Sequence, residues 1–361
     1  MKARVRSWSR EADPRALAAR LCQSDHLRRS PASAGGRGGH KEWTHFCVLG
    51  AELDLLVNLS LMDGVQTGAS ASTEVPRLAV LVRDARGWDG DVERFSPGEC
   101  RYSGGRIDLR MGPNELRFAD GAYELVVQSR SRPLEARLRL TPLVTPAMTS
   151  SVPLGAGGSV RWLVVPYLLA DGEVHWAGRR YRFRGAPAYH DHNWGTFQWG
   201  ADFSWEWAVA VPPDPSVPWS LIFTRLSDRG RLRVFSEGLL LWKRDTHHRT
   251  FRGSDVEVRS TGFLRSTGVL RIPRVMGLAA PGRAADVPRL LEVRARDGDD
   301  TLDLELRPTG FAQIAIPSDA NERGVTVLSE VRATARARGR VRGEPVELEG
   351  PALLELIHVA R

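Results

Sequence analysis

Leu134-Glu135-Ala136-Arg137-Leu138-Arg139-Leu140 sets apolar and charged residues in strict alternation. Side chains of a β-strand point to opposite faces in turn, so this stretch has one apolar face and one charged face. Leu302, Leu304 and Leu306 alternate with Asp303, Glu305 and Arg307 in the same way. Asp-Gly pairs stand at 63–64, 89–90, 120–121, 171–172 and 297–298. They read as hairpin turns, because type I′ turns need the positive φ that these residues tolerate. Helical periodicity is nearly absent after one short helix expected around Pro14–Cys22. Many short strands with such turns give an all-β fold of antiparallel sandwiches or barrels.

An internal repeat sets the number of modules. Glu42-Trp43 precedes the strand-like run 56–63, and Glu206-Trp207 precedes a similar run at 221–228, at an offset of 164 residues. Gly178-Arg-Arg-Tyr181-Arg-Phe183-Arg-Gly185 matches Gly343-Glu-Pro-Val346-Glu-Leu348-Glu-Gly350 at an offset of 165. Two anchors at nearly one offset predict tandem β-modules at 41–200 and 201–361, after a basic flexible tail at 1–40.

That tail accounts for most of the net charge of +8. Residues 1–41 hold ten Lys or Arg against Glu11, Asp13 and Asp25, which leaves the body close to neutral. The tail reads as a solvated, disordered leader that is dispensable for folding; its charge also suits peripheral contact with an anionic membrane surface. No run of about 18 apolar residues predicts a membrane helix, and no apolar segment of secretory type follows the basic start. Cys22, Cys47 and Cys100 are far apart, which favours a reducing, cytoplasmic setting over a disulfide framework. Arg336, Arg338, Arg340 and Arg342 lack interleaved aromatics and read as a solvent face, so no nucleic-acid partner is expected. Phosphate-loop and nucleophile-elbow patterns are missing.

The chemistry gathers in Tyr189-His190-Asp191-His192-Asn193-Trp194-Gly195. Read as a strand, Tyr189, Asp191 and Asn193 share one face, and His190, His192 and Trp194 the other. Six of eleven tryptophans fall within 162–207, and Phe203, Trp205, Trp207 and Val209 share a strand face. At the matching place the second module has Leu354-Glu355-Leu356-Ile357-His358, an ordinary strand, so the fold itself does not require the motif. His190-x-His192 could hold a metal, but His175, Asp202 and Glu206 offer no third ligand at diagnostic spacing. Alternatively, both imidazoles bond locally and fix the strand. Neither metal nor cofactor is expected. Asp191 in an apolar pocket would keep its proton and serve as a general acid; the competing reading is a carboxylate that merely accepts backbone N–H bonds.

The pattern Tyr189-x-Asp191-x-Asn193-x-Gly195, followed by Trp205-x-Trp207, resembles the carotenoid 1,2-hydratase (hydroxyneurosporene synthase) family, and the full heptapeptide resembles its AttH-like relatives. The resemblance spans 41–361. It implies two lipocalin-like β-barrel modules and chemistry without a cofactor on a polyene, isoprenoid or polyketide-like substrate, with Tyr189 and Asp191 as the catalytic pair. The expected catalytic set is Asp191, Tyr189, His190, His192 and Asn193. The expected substrate contacts are Trp194, Trp199, Trp205, Trp207 and Glu206. The leading reading is a hydratase in which Asp191 protonates an alkene. A pericyclic natural-product cyclase and a non-catalytic carrier of hydrophobic ligands stand beside it.

Overall fold

The computed structural model describes residues 5–7, 14–28, 39–64, 73–155, 158–200, 203–264, 269–275, 287–319 and 325–359. The chain divides into two compact units: one is Arg4–Ser151 with Gly157–Gln198, the other Val152–Ala156 with Trp199–Arg361. Both are lipocalin-like β units of mainly antiparallel strands; the first also carries an α-helix, and the second has a short parallel pair, Arg271–Ile272 against Gln313–Ile314. Among the described residues no helix is long and apolar enough to cross a membrane.

In the first unit the strands follow one spatial path: Gly87–Arg94, Thr73–Asp84, Asp54–Gly64, His40–Leu49, Arg179–Thr196, Gly158–Trp176, Leu134–Pro142, Ala122–Gln128, Asn114–Ala119, Asp108–Met111 and Cys100–Tyr102. The two ends of the path are consecutive in the chain, joined through the short turn Pro97–Glu99. Glu93, on one end strand, accepts hydrogen bonds from Ser129 Oγ (2.5 Å), Ser131 Oγ (3.0 Å) and the N–H groups of Arg130 and Ser131. Those partners follow strand Ala122–Gln128, far along the path. The sheet is therefore curled.

The second unit repeats the plan with Thr246–Arg252, Val234–Lys243, Trp219–Ser227, Ser204–Ala210, Glu344–Val359, Val325–Val341, Asp300–Pro317, Pro288–Asp297 and Val256–Phe263. One face packs Phe223, Leu241, Phe251, Leu304, Val331 and Leu354 into a core. The repeat read from the sequence falls on corresponding places. Trp43 lies opposite Ser60 and Asn193, and Trp207 lies opposite Thr224 and Glu355. In each unit, then, the Glu-Trp strand sits between the unit's closing strand and its own hairpin partner. The closing hairpins turn at Ala177-Gly178 (φ 49° and 78°) and Arg342-Gly343 (φ 53° and 77°). The Asp-Gly pairs are less uniform. Asp120-Gly121 is a turn with φ 49° and 73°. Asp89-Gly90 and Asp171-Gly172 lie inside strands, where a Cβ on Gly172 would stand 2.1 Å from the Arg137 carbonyl oxygen. In those two, glycine serves close backbone approach rather than chain reversal.

Residues 1–4, 8–13 and 29–38 of the expected tail lie outside the described residues, and so does the membrane contact expected of them. Residues 14–28 differ from the expectation of a flexible, dispensable leader. Pro14–Ser24 is a helix, as the periodicity around Pro14–Cys22 suggests. Leu17, Leu21 and Asp25 follow one another at helical i, i+4 spacing and are all buried, Leu21 completely. The Asp25 N–H still donates to the Leu21 carbonyl (2.8 Å), so Asp25 continues the buried stripe one turn past the apolar pair. The helix docks because this stripe is apolar at its start and meets hydrogen-bond partners at its end.

Candidate functional site

Strand Arg179–Thr196 carries the motif between His40–Leu49 and Gly158–Trp176. The alternation read from the sequence holds, and each face forms its own hydrogen-bonded set. On one face the Tyr189 hydroxyl donates to Asp191 Oδ2 (2.8 Å), and the Asn193 amide donates to Asp191 Oδ1 (2.5 Å). Tyr189 is fully buried and Asp191 is 8% exposed. Directly opposed residues of an antiparallel pair share a face. Trp43, His45 and Cys47 oppose Asn193, Asp191 and Tyr189 from one side, and Trp162 and Val164 oppose Asn193 and Asp191 from the other. All five are buried. The carboxyl thus lies in a row of sheet flanked by two indoles and a histidine. Burial, with the charge of His190 beside it, pushes the His45 imidazole down to about 3, so this ring is neutral.

The other face is a closed ionic network. Asp25, delivered by the helix, accepts from Tyr123 Oη (2.6 Å), His190 Nε2 (2.8 Å) and His192 Nδ1 (2.8 Å). His190 Nδ1 donates to the His45 carbonyl (2.9 Å), and His192 Nε2 donates to Glu42 Oε1 (2.8 Å). Glu42 also accepts from the Arg28 N–H (2.7 Å) and from His40 Nε2 (3.0 Å). The His190 ring stacks on Phe46 at 4.1 Å. Tyr123 and His190 stand on strands three positions apart in the path; one carboxylate reaches both because the sheet curls.

Charges in this network stabilise one another. Burial by itself would raise Asp25, but the charge of His190 and hydrogen bonds from both imidazoles hold it well below the usual carboxylate range. Burial likewise opposes ionisation of Glu42, and hydrogen bonds from His192 and His40 outweigh it. Burial would lower His192; hydrogen bonds to Asp25 and Glu42 raise it to about 8.

These contacts bear on three expectations. His190 and His192 are fully buried, and all four of their ring nitrogens already face acceptors, an arrangement suited to fixing the strand rather than to contact with a substrate. Trp194 lies on this same face, not beside Asp191, and the Arg28 guanidinium covers its ring at 3.5 Å. Glu206, expected to contact substrate, is buried and ion-paired with Arg225 (3.4 Å) and Arg231 (3.5 Å).

Trp199, Trp205 and Trp207 belong to the second unit. Trp199 packs against Trp205 at 5.8 Å and Phe203 at 6.1 Å, and its N–H and carbonyl are held by Asp319. Trp207 opposes Glu355 across strands. Glu355 is not an ordinary strand residue. Burial pushes its carboxyl up to about 7 against hydrogen bonds from Glu330 and Trp205. Glu330 is its cross-strand partner, and a bond between two carboxyl groups requires that one hold a proton.

Sequence reasoning missed Asp25, His45 and the indole pair Trp43 and Trp162. Asp25 could have been found as the third member of the Leu17–Leu21–Asp25 stripe. His45 could have been found by laying the Glu-Trp strand against the motif.

No protein-family model matches the chain, and no curated protein matches it. Among solved structures, an AttH-like protein from Nitrosomonas europaea is similar in fold, with a TM-score of 0.62 and 15% identity over 94% of this chain and 98% of that one. Kievitone hydratase from Nectria haematococca is similar with a TM-score of 0.57 and 14% identity over 89% of each chain. At these identities the likeness is one of fold.

Proposed function

We propose that the chain is an enzyme that adds water to, or otherwise protonates, an alkene in an apolar small molecule, without a cofactor. The observation that carries this reading is the Tyr189–Asp191–Asn193 row, in which one nearly buried carboxyl receives a separate donor on each oxygen. With Asn193 donating to Oδ1, the acid form of Asp191 carries its proton on Oδ2, and the Tyr189 hydroxyl then turns from donor to acceptor there. Asp191 passes this proton to one alkene carbon. The cation left on the other carbon faces the indoles of Trp43 and Trp162, whose π faces stabilise positive charge. Water adds to that carbon and returns a proton to the Asp191 carboxylate, which restores the acid. A polyene, isoprenoid or polyketide-like substrate, of which a carotenoid is one member, suits an acid among indoles. The fold's likeness to a hydratase supports the reaction class.

The carrier reading has less support. A lipocalin-like carrier keeps its ligand inside the curled sheet. In the first unit that inner face holds helix Pro14–Ser24 and the Asp25–His190–His192–Glu42 network.

The test is solvent extraction of the purified chain with mass spectrometry of what is released, followed by incubation of that compound and a panel of isoprenoid alkenes in heavy-oxygen water. Incorporation of labelled hydroxyl, lost in Asp191→Asn, is expected. A ligand that is bound and released unchanged by wild type would favour the carrier.

A further inference from the structure

The motif's inner face poses a question that packing alone does not answer. Leu17, Leu21 and Leu27 already give the N-terminal segment an apolar anchor. Burying two carboxylates and two imidazoles beside that anchor adds little stability, since buried ion pairs are commonly no better than apolar residues of the same size. Such a network is better suited to fixing geometry.

Its placement says which geometry. His190 lies between Tyr189 and Asp191 in the chain, and His192 between Asp191 and Asn193. The two oxygens of Asp25 hold the two rings, Oδ2 on His190 and Oδ1 on His192. Alternate residues of a strand stand about 7 Å apart, and tying two of them to one rigid carboxylate fixes the local pleat. The side chains interleaved on the opposite face, Tyr189, Asp191 and Asn193, inherit that spacing. Their mutual bonds of 2.8 and 2.5 Å depend on it. His190 adds a second tie, through the carbonyl of His45, the residue that opposes Asp191.

We propose that Asp25 is a positioning residue: carried in by the N-terminal helix, it clamps His190 and His192 and thereby sets the Tyr189–Asp191–Asn193 row on the other face of the strand. Residues 14–28 are then part of the site. The proposal rests on the acid–base reading of that row, but the clamp is measured without any substrate.

The experiment uses the full-length chain and two variants, Asp25→Asn and Tyr123→Phe. The second removes one of the three donors to Asp25, keeps an apolar ring in place, and serves if the first fails to fold. Three quantities are read: the ring-proton titration of His192, amide exchange of residues 189–193, and kcat and KM on any alkene that wild type turns over. In Asp25→Asn, His192 should titrate below about 8, and exchange at 189–193 should speed up by about tenfold or more. Exchange in the second unit should stay unchanged, kcat should fall and KM should hold. Tyr123→Phe should give smaller changes of the same sign. Unaltered titration and exchange in Asp25→Asn would overturn the clamp. Faster exchange with kcat intact would make Asp25 structural only, leaving the acid–base reading in place. A wild type that turns over no alkene would sink that reading, and the positioning role with it.

Discussion

Replacing Asp25 by alanine should unfold the first unit far more easily than removal of an ordinary surface acid. The side chain is 2% exposed and is the shared acceptor of Tyr123, His190 and His192. Asp25→Ala strands all three donors. Each buried, unsatisfied donor costs roughly 1–3 kcal/mol, and removing one partner of a buried charge pair costs about 3–5 kcal/mol. These figures overlap rather than add, because water can enter the space left behind and an imidazole can shed its proton. A loss of about 3–5 kcal/mol is the working estimate. With a urea dependence of about 2–3 kcal/mol per molar, the midpoint should fall by between about 1 and 2.5 M. Tryptophan fluorescence during urea titration reports it; the two units can unfold in separate steps, and only the first unit's step should move. Asp108→Ala, which removes an exposed partner of Arg106 in the same unit, is the control and should leave the midpoint in place. An Asp25→Ala midpoint as close to wild type as the control's would refute the buried network.

Other outcomes follow from the same contacts. His192 is raised from 6.5 to about 8, so its protonation stabilises the first unit fully below about pH 6.5, and that contribution is lost as pH rises through about 8. The loss amounts to about 2 kcal/mol; thermal melts from pH 6 to 8.5 should show it, and His192→Gln should flatten the slope. Gly195→Ala should destabilise by about 1–3 kcal/mol or more in a urea titration, because its Cβ would stand 2.1 Å from the Ser159 carbonyl oxygen. A chain beginning at Gly39 loses Leu17, Leu21, Asp25 and Leu27, and calorimetry should find the first unit's cooperative transition gone.

The period-two alternation made the class, the repeat and the two faces of the motif legible. It also placed Tyr189 with Asp191 correctly, since that relation is local to one strand. What stayed hidden depends on partners distant in the chain. Nothing near His190 and His192 in sequence says that Asp25, some 165 residues earlier, fills their ring nitrogens. Among ten Lys or Arg in residues 1–41, composition gives Asp25 no distinction from Glu11 and Asp13. Glu355 read as part of an ordinary strand because its partner Glu330 lies 25 residues earlier in the chain and is brought opposite it only by the strand register. The Asp-Gly pairs carried a mixed message, since glycine serves a bulge or a close approach as well as a turn.

The most direct measurement compares wild type with Asp191→Asn for turnover of an alkene substrate and for urea stability. An amide can still bond with Tyr189 and Asn193, so the unfolding midpoint should remain near wild type, while turnover should fall by about a hundredfold to ten-thousandfold, the usual share of a general acid. Turnover that survives the substitution, or that falls only as far as the folded fraction falls, would contradict the assignment of Asp191 as the acid.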